Sequence, residues 1–145
     1  MRTIKFKAIT SNRNSDNTWV EGFPIIDEVL PEEEAMMNNG SGGIFDIQRH
    51  TICQFTGVQD RDGNDIYEWD ELLERFDDGD EYYAVCLFYK GAFGAVEIPD
   101  HSKNNLSKSQ IISMIESEEL IFDSFLEESA EVTWNIIGNL NDHPQ

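Results

Sequence analysis

The chain has 145 residues, with ten Lys and Arg against twenty-nine Asp and Glu and a formal charge of −19. That length suits one domain with one core, and the acidic excess repels phosphate, so direct nucleic-acid binding and attachment to anionic membranes are disfavoured while basic partners are favoured. No apolar run approaches the roughly 20 residues that span a bilayer, no export signal is visible, and Cys53 and Cys86 are too few for a disulfide framework, which predicts a cytoplasmic chain with two reduced core thiols.

Ile4, Phe6 and Ala8 alternate with Lys5 and Lys7, the period of a half-buried strand that also carries, with Arg2, the main basic cluster. A polar turn over 11–17 leads to a second strand through Thr18 to Ile26, predicting an N-terminal hairpin. Pro31 to Met37 reads as one helical turn, and Asn38 to Gly43 as a flexible loop. Strands are predicted at Ile44 to Ile47 and at Thr51 to Val58. Asp62-Gly63 then predicts a type I′ hairpin turn into a strand over Ile66 to Leu73, because Gly accepts positive φ. A turn at Asp77 to Asp80 precedes the strongest strand, Tyr82 to Tyr89, which Lys90 to Gly94 turns into Ala95 to Ile98. Ser107 and Gln110 have capping-box spacing, with Ile111, Ile112 and Ile115 on one face of a helix near 107–117. Beyond it Ile121-Phe122 either prolongs the helix or opens a strand, and Val132 to Ile137 closes the sheet before Gly138-Asn139. The pattern predicts a mainly β fold with one minor helix: a small, partly open, SH3-like or rolled β-barrel over 44–145, extended by the hairpin and loop of 1–43, all within one domain.

Few residues suggest chemistry. Asp60, Asp62, Asn64 and Glu71 occupy the first, third, fifth and twelfth places of a calcium loop, but the glycine required at the sixth place is Asp65 here, and Gly63 comes too early. Asp77, Asp78, Asp80 and Glu81 are a second acidic turn that could hold a cation loosely. His50, Cys53, Cys86, His101 and His143 lack the paired spacing of a zinc site. Gly40-Ser41-Gly42 is neither a nucleophile elbow nor a phosphate loop. Trp19 and Trp134 are expected in the core. Trp69, flanked by Glu68, Asp70 and Glu71, is the exception and marks a candidate contact surface.

Three stretches stand out together: Ile4 to Ala8 with Trp19-Val20-Glu21-Gly22; Gln54-Phe55-Thr56-Gly57-Val58 with Asp60, Gly63, Ile66-Tyr67-Glu68 and Asp70; and Ile137-Gly138-Asn139 with Asp142 and Pro144. They resemble, in turn, the opening, the central signature and the closing motif of the YopX family of phages, prophages and other mobile elements. The family usually places Gly where this chain has Trp69. The resemblance implies a β-rich, partly barrel-like fold and a phage or prophage origin, and brings no catalytic residue or cofactor.

The function expected on these grounds is a non-enzymatic module that binds a host or phage protein in the cytoplasm of a bacterial host cell, with sheet edges available for pairing between copies. Two alternatives follow from the charge: an acidic decoy that imitates nucleic acid toward a host DNA-binding protein, and a metal-dependent hydrolase or nuclease using clustered carboxylates.

Overall fold

The computed structural model describes residues 4–11, 18–99, 106–125 and 134–142. These are mainly β, with one α-helix among the described residues, as the alternating patterns predict. Arg2, His101, Val132, Thr133, His143 and Pro144 lie outside the described residues. The chain divides into two compact units, 1–57 and 58–145.

In the first unit, β1 (Phe6–Ile9), β2 (Trp19–Ile25), β3 (Glu34–Asn38), β4 (Ile44–Gln48) and the start of β5 (Cys53–Gln59) form an antiparallel sheet in the order β4-β3-β2-β1-β5. The β1–β2 hairpin forms as expected, with Phe6 opposite Gly22 and Ile9 opposite Trp19. It is not an appendage. Thr10 bridges Ile47 of β4, and the Ser11 N–H donates to the Asp46 carbonyl at 2.9 Å. The sheet is thereby rolled around Ala8, Ala35, Met37 and Ile47, which are buried together, although a single bridge does not make a closed barrel.

Of the helical turn expected at Pro31 to Met37 only a tight turn over Pro31 to Glu34 forms, and Glu34 onward is β3, paired on both sides. Ala35 and Met37, two residues apart, drop into the core while Glu34, Met36 and Asn38 stay partly exposed. Burial at period 2 overrides the helix propensity of the preceding glutamates. The loop after it is held by side chains: Asn38 Oδ1 accepts from the Gly40 N–H at 2.8 Å, and Asn39 Oδ1 from the N–H groups of Ser41 and Gly43 at 2.8 and 3.0 Å.

In the second unit, β6 (Asp65–Tyr67) is hydrogen-bonded to the end of β5. A separate sheet has the order β10-β9-β8-β7-β11, made by β7 (Asp70–Arg75), β8 (Glu81–Tyr89), β9 (Ala92–Glu97), β10 (Phe122–Ser124) and β11 (Asn135–Asn139). Both of its faces are covered, which is why the core of β8 is an unbroken apolar run. Tyr83, Val85, Leu87, Val96 and Ile98 form one cluster with Ile111 and Ile115. Leu72, Ala84, Cys86 and Ala95 form another with Ile66, Phe125, Trp134 and Ile136 packed against or within it. Cys53 and Cys86 are both buried thiols outside any disulfide.

The helix α1 (Lys108–Glu116) starts at the expected capping box, with the Gln110 N–H donating to Ser107 Oγ and the Ser107 N–H to Gln110 Oε1. Ile111 and Ile115 anchor it, each burial contributing roughly 2 kcal/mol. It stops because Glu118 takes φ 65°, so that the Glu119 N–H donates to Met114 O and the Glu118 N–H to Ile115 O, the pairing of a Schellman motif. The residues beyond open β10, resolving the alternative left by Ile121-Phe122. Among the described residues no helix is long and apolar enough to cross a membrane.

The turn chemistry differs from expectation at one place. At Asp62-Gly63 only Gly63 has positive φ, 86°. The Gly63 N–H donates to Asp60 O and the Asp60 N–H to Asn64 O, giving a type I turn closed by a left-handed glycine. Type I′ geometry occurs instead at Lys90-Gly91, with φ 48° and 87° between the paired residues Tyr89 and Ala92.

Candidate functional site

Two stretches 70 or so residues apart in sequence meet at the β7–β11 edge, where Asp70 pairs with Asn139 and Glu71 with Gly138 across an irregularity after Ile136. Three polar nodes are built around it, each centred on a carboxylate named in the sequence analysis.

The first node is Asp60. Its Oδ1 accepts from the N–H groups of Asp62 and Asn64, both at 2.9 Å. Its Oδ2 accepts from the Ile136 N–H at 3.1 Å and from Asn64 Nδ2 at 3.4 Å. A carboxylate has about four lone-pair sites, and all are used. Burial by itself would raise the Asp60 pKa, but the donors from Asn64, Ile136 and Asp62 outweigh it and hold the group below its ordinary value. The turn is thus fastened to β11, with the Arg61 N–H donating to Trp134 O and Asn135 Nδ2 to Asp62 Oδ2. A calcium ion would have to displace these donors from the residue in its first place.

The second node is Asp70, 1% exposed. Its Oδ2 accepts from the Tyr67 N–H and its Oδ1 from Asn139 Nδ2, each at 2.8 Å. Asn139 Nδ2 also reaches Glu68 O at 3.1 Å, and its Oδ1 accepts from the Asn141 N–H at 2.9 Å. The Asn139 N–H donates to Asp142 Oδ2. Tyr67 is buried beside this node.

The third node is Glu71, 4% exposed, which accepts from the Tyr83 hydroxyl at 2.5 Å. The two are diagonal neighbours on β7 and β8, since Glu71 faces Val85 and Leu73 faces Tyr83. A side chain at Gly138 would approach Glu71 Oε1 at 3.2 Å, so this glycine leaves room for the carboxylate. Burial first, then the hydrogen bond to Glu71 and its negative charge, push the Tyr83 pKa well above its ordinary 10.0. A phenol with a raised folded-state pKa contributes stability that is complete below the unfolded value and is lost as pH rises past it. The parent should therefore lose about 1.4 kcal/mol per pH unit above about pH 10 through this one group. Tyr83→Phe should remove that slope in pH-dependent urea unfolding; an unchanged alkaline limb would refute the assignment.

The candidate contact surface needs correcting. Asp70 and Glu71 do not face solvent, because a strand covered on both faces turns consecutive residues inward, where each found buried donors. Trp69 is half-buried against the Tyr83 to Leu140 cluster, with Lys108 Nζ 5.5 Å from its ring centre, and Glu68 is half-buried beside it. Trp69 has φ 66°; its N–H donates to Cys86 O at 2.6 Å and its carbonyl accepts from the Leu140 N–H at 2.8 Å. That left-handed conformation costs a non-glycine residue about 1 kcal/mol, which the packing of the indole offsets with roughly 2 kcal/mol. Trp69→Gly is accordingly expected to be less stable than the parent, and Trp69→Ala less stable still by about 1 kcal/mol; equal urea midpoints for the two variants would remove the backbone cost.

Gln54, Thr56 and Gly57 lie on β5, Thr56 buried and Gly57 at φ 88° inside the strand. Among the described residues no three His, Cys, Asp or Glu are grouped as a metal site would require. The family model described as YopX protein matches residues 1–145, the whole chain. The chain belongs to the YopX family. No curated protein and no solved structure matches it. In this YopX chain Asp60, Tyr67, Glu68 and Asp70 of the central signature and Asn139 of the closing motif, separate in sequence, belong to one hydrogen-bonded construction around β7 and β11. The sequence reading missed that union and the Glu71–Tyr83 pair. A polar Asn at the end of an apolar strand, 69 residues from the Asp it serves, was the available signal.

Proposed function

We propose that this YopX-family protein is a non-enzymatic protein-interaction module of phage or prophage type, acting on a host or phage protein in the bacterial cytoplasm. The observation that supports this is the internal use of the signature residues Asp60, Asp70 and Asn139 and of their neighbour Glu71, which direct their polar atoms at nearby backbone and side-chain donors or acceptors. Residues so occupied hold strands together and do not present a nucleophile, a base or a ligand set. The test is capture of a protein from the lysate of a bacterial host, followed by reconstitution of the complex from the two purified components. A saturable complex of fixed stoichiometry is the expected result. Hydrolysis of nucleic acid by the purified chain with Mg²⁺ or Mn²⁺, or failure of every captured protein to reconstitute, would overturn the reading.

The acidic decoy is a narrower form of the same proposal, favoured by the charge of −19. It requires that the captured protein bind DNA and that DNA compete with this chain for it; a complex indifferent to both salt and DNA would dismiss the decoy and leave the module.

A further inference from the structure

The outer face of the rolled sheet carries exposed apolar side chains. Phe23, Asn38 and Ile44 stand in one row across β2, β3 and β4, and Ile25, Met36 and Asp46 in the next. These residues alternate with Met37, Ala35 and Ile47, which turn into the core, and with the half-buried Pro24 opposite Met37. Phe23 is 57% exposed and Ile44 61%. A sheet face with large apolar residues open to water, one of them on the edge strand β4, is a liability a protein ordinarily avoids unless the face is used. The strands that carry it are of one sign, since residues 18–48 hold seven Asp and Glu and no Lys, Arg or His, and basic residues enter only at its margins, with Lys7 of β1 opposite Glu21 and Arg49 after β4. Glu34 and Asp46 lie on the same face as the apolar rows.

We propose that this face, Phe23, Ile25, Met36 and Ile44 with Glu34 and Asp46, docks a basic amphipathic helix of a protein partner. The inference rests on the interaction-module reading and assigns its contact surface to residues of the first unit instead of Trp69. Charge selects the occupant. A second copy would bring the same carboxylates against these, and an anionic membrane would be repelled, whereas a helix with an apolar stripe flanked by Lys and Arg satisfies both features. The dimensions agree, because strands about 4.8 Å apart put β2 and β4 roughly 10 Å from each other, close to the diameter of one helix.

The probe is a synthetic Leu/Lys peptide of about five helical turns with an i, i+3, i+4, i+7 leucine stripe. It is compared with a Gln/Lys peptide of the same charge and with a Leu/Glu peptide of the same stripe. Binding to the full chain is read by fluorescence anisotropy at about 0.15 M salt. The Leu/Lys peptide should bind the parent at least about tenfold more tightly than either control. F23S/I44S should weaken it about tenfold, since both side chains are already exposed and their loss spares the core. Glu34→Gln with Asp46→Asn should weaken it several-fold, and Phe88→Ser, an exposed aromatic of the second unit, should change nothing. Equal affinity for F23S/I44S, or equal binding of the Leu/Glu peptide, would overturn the proposal. So would a dimer in sedimentation that F23S/I44S dissolves, because the occupant would then be a second copy. If a reconstituted partner binds F23S/I44S as it binds the parent, the module reading stands and this face falls. If no partner reconstitutes, the module reading falls, while the peptide series still decides whether the face is selective.

Discussion

Asp70→Ala should destabilise the protein by about 4 kcal/mol, since it strips a buried Asn139 amide and the Tyr67 N–H of charge-assisted bonds worth roughly 1.5–3 kcal/mol each. The loss is large because neither donor can reach water: Asp70, Tyr67 and Asn139 are all buried. Asp70→Asn should recover only part of it. One amide oxygen can still accept, but the –NH2 would confront a second donor. Urea unfolding checks both variants, and a midpoint for Asp70→Asn equal to that of the parent would mean that shape alone matters at this position.

Gly22→Ala should cost about 3 kcal/mol through overpacking, the upper end of such changes. A Cβ at Gly22 would run into the carbonyl oxygen of Asn38 and come within 2.8 Å of its carbon, and both are backbone atoms that cannot step aside alone. The β2–β3 pairing must open near Phe23 and Asn38 to admit it. Gly63→Ala is the informative contrast: Gly63 also has positive φ, but nothing lies within 4 Å of its would-be Cβ. That variant should lose only about 1 kcal/mol of conformational strain. Amide exchange locates the damage: faster exchange in β2 and β3 with β8 unchanged is expected for Gly22→Ala, and uniform faster exchange would contradict a local clash.

What could be read from the sequence was whatever the chain specifies over short range. The alternation in Phe6 to Ala8, the apolar run of β8 and the Ser107/Gln110 capping box each act within a few residues, and each appears as expected. Asp62-Gly63 marked a hairpin but not its type, since one glycine at positive φ serves both a type I turn with a bulge and a type I′ turn. β3 was misread because Pro31-Glu32-Glu33-Glu34 favours a helix locally, while the reason for a strand is supplied by β2 and β4 on either side. The charged neighbours of Trp69 suggest a surface, yet Asp70 and Glu71 are inward-facing carboxylates with donors on other strands. Alternation does reveal Phe23, Ile25 and Ile44 as one face once the register is known. Register is a product of pairing, and no spacing within the segment states it.

The most direct test of the signature as a scaffold is a double-mutant cycle on Asp70 and Asn139, with Asp70→Ala, Asn139→Ala and the pair unfolded in urea. The account predicts that each single change is severely destabilising and that the two losses overlap, leaving a coupling of at least about 1 kcal/mol. Single variants as stable as the parent, with no coupling between them, would mean that Asp70 and Asn139 serve something other than holding β7 to β11.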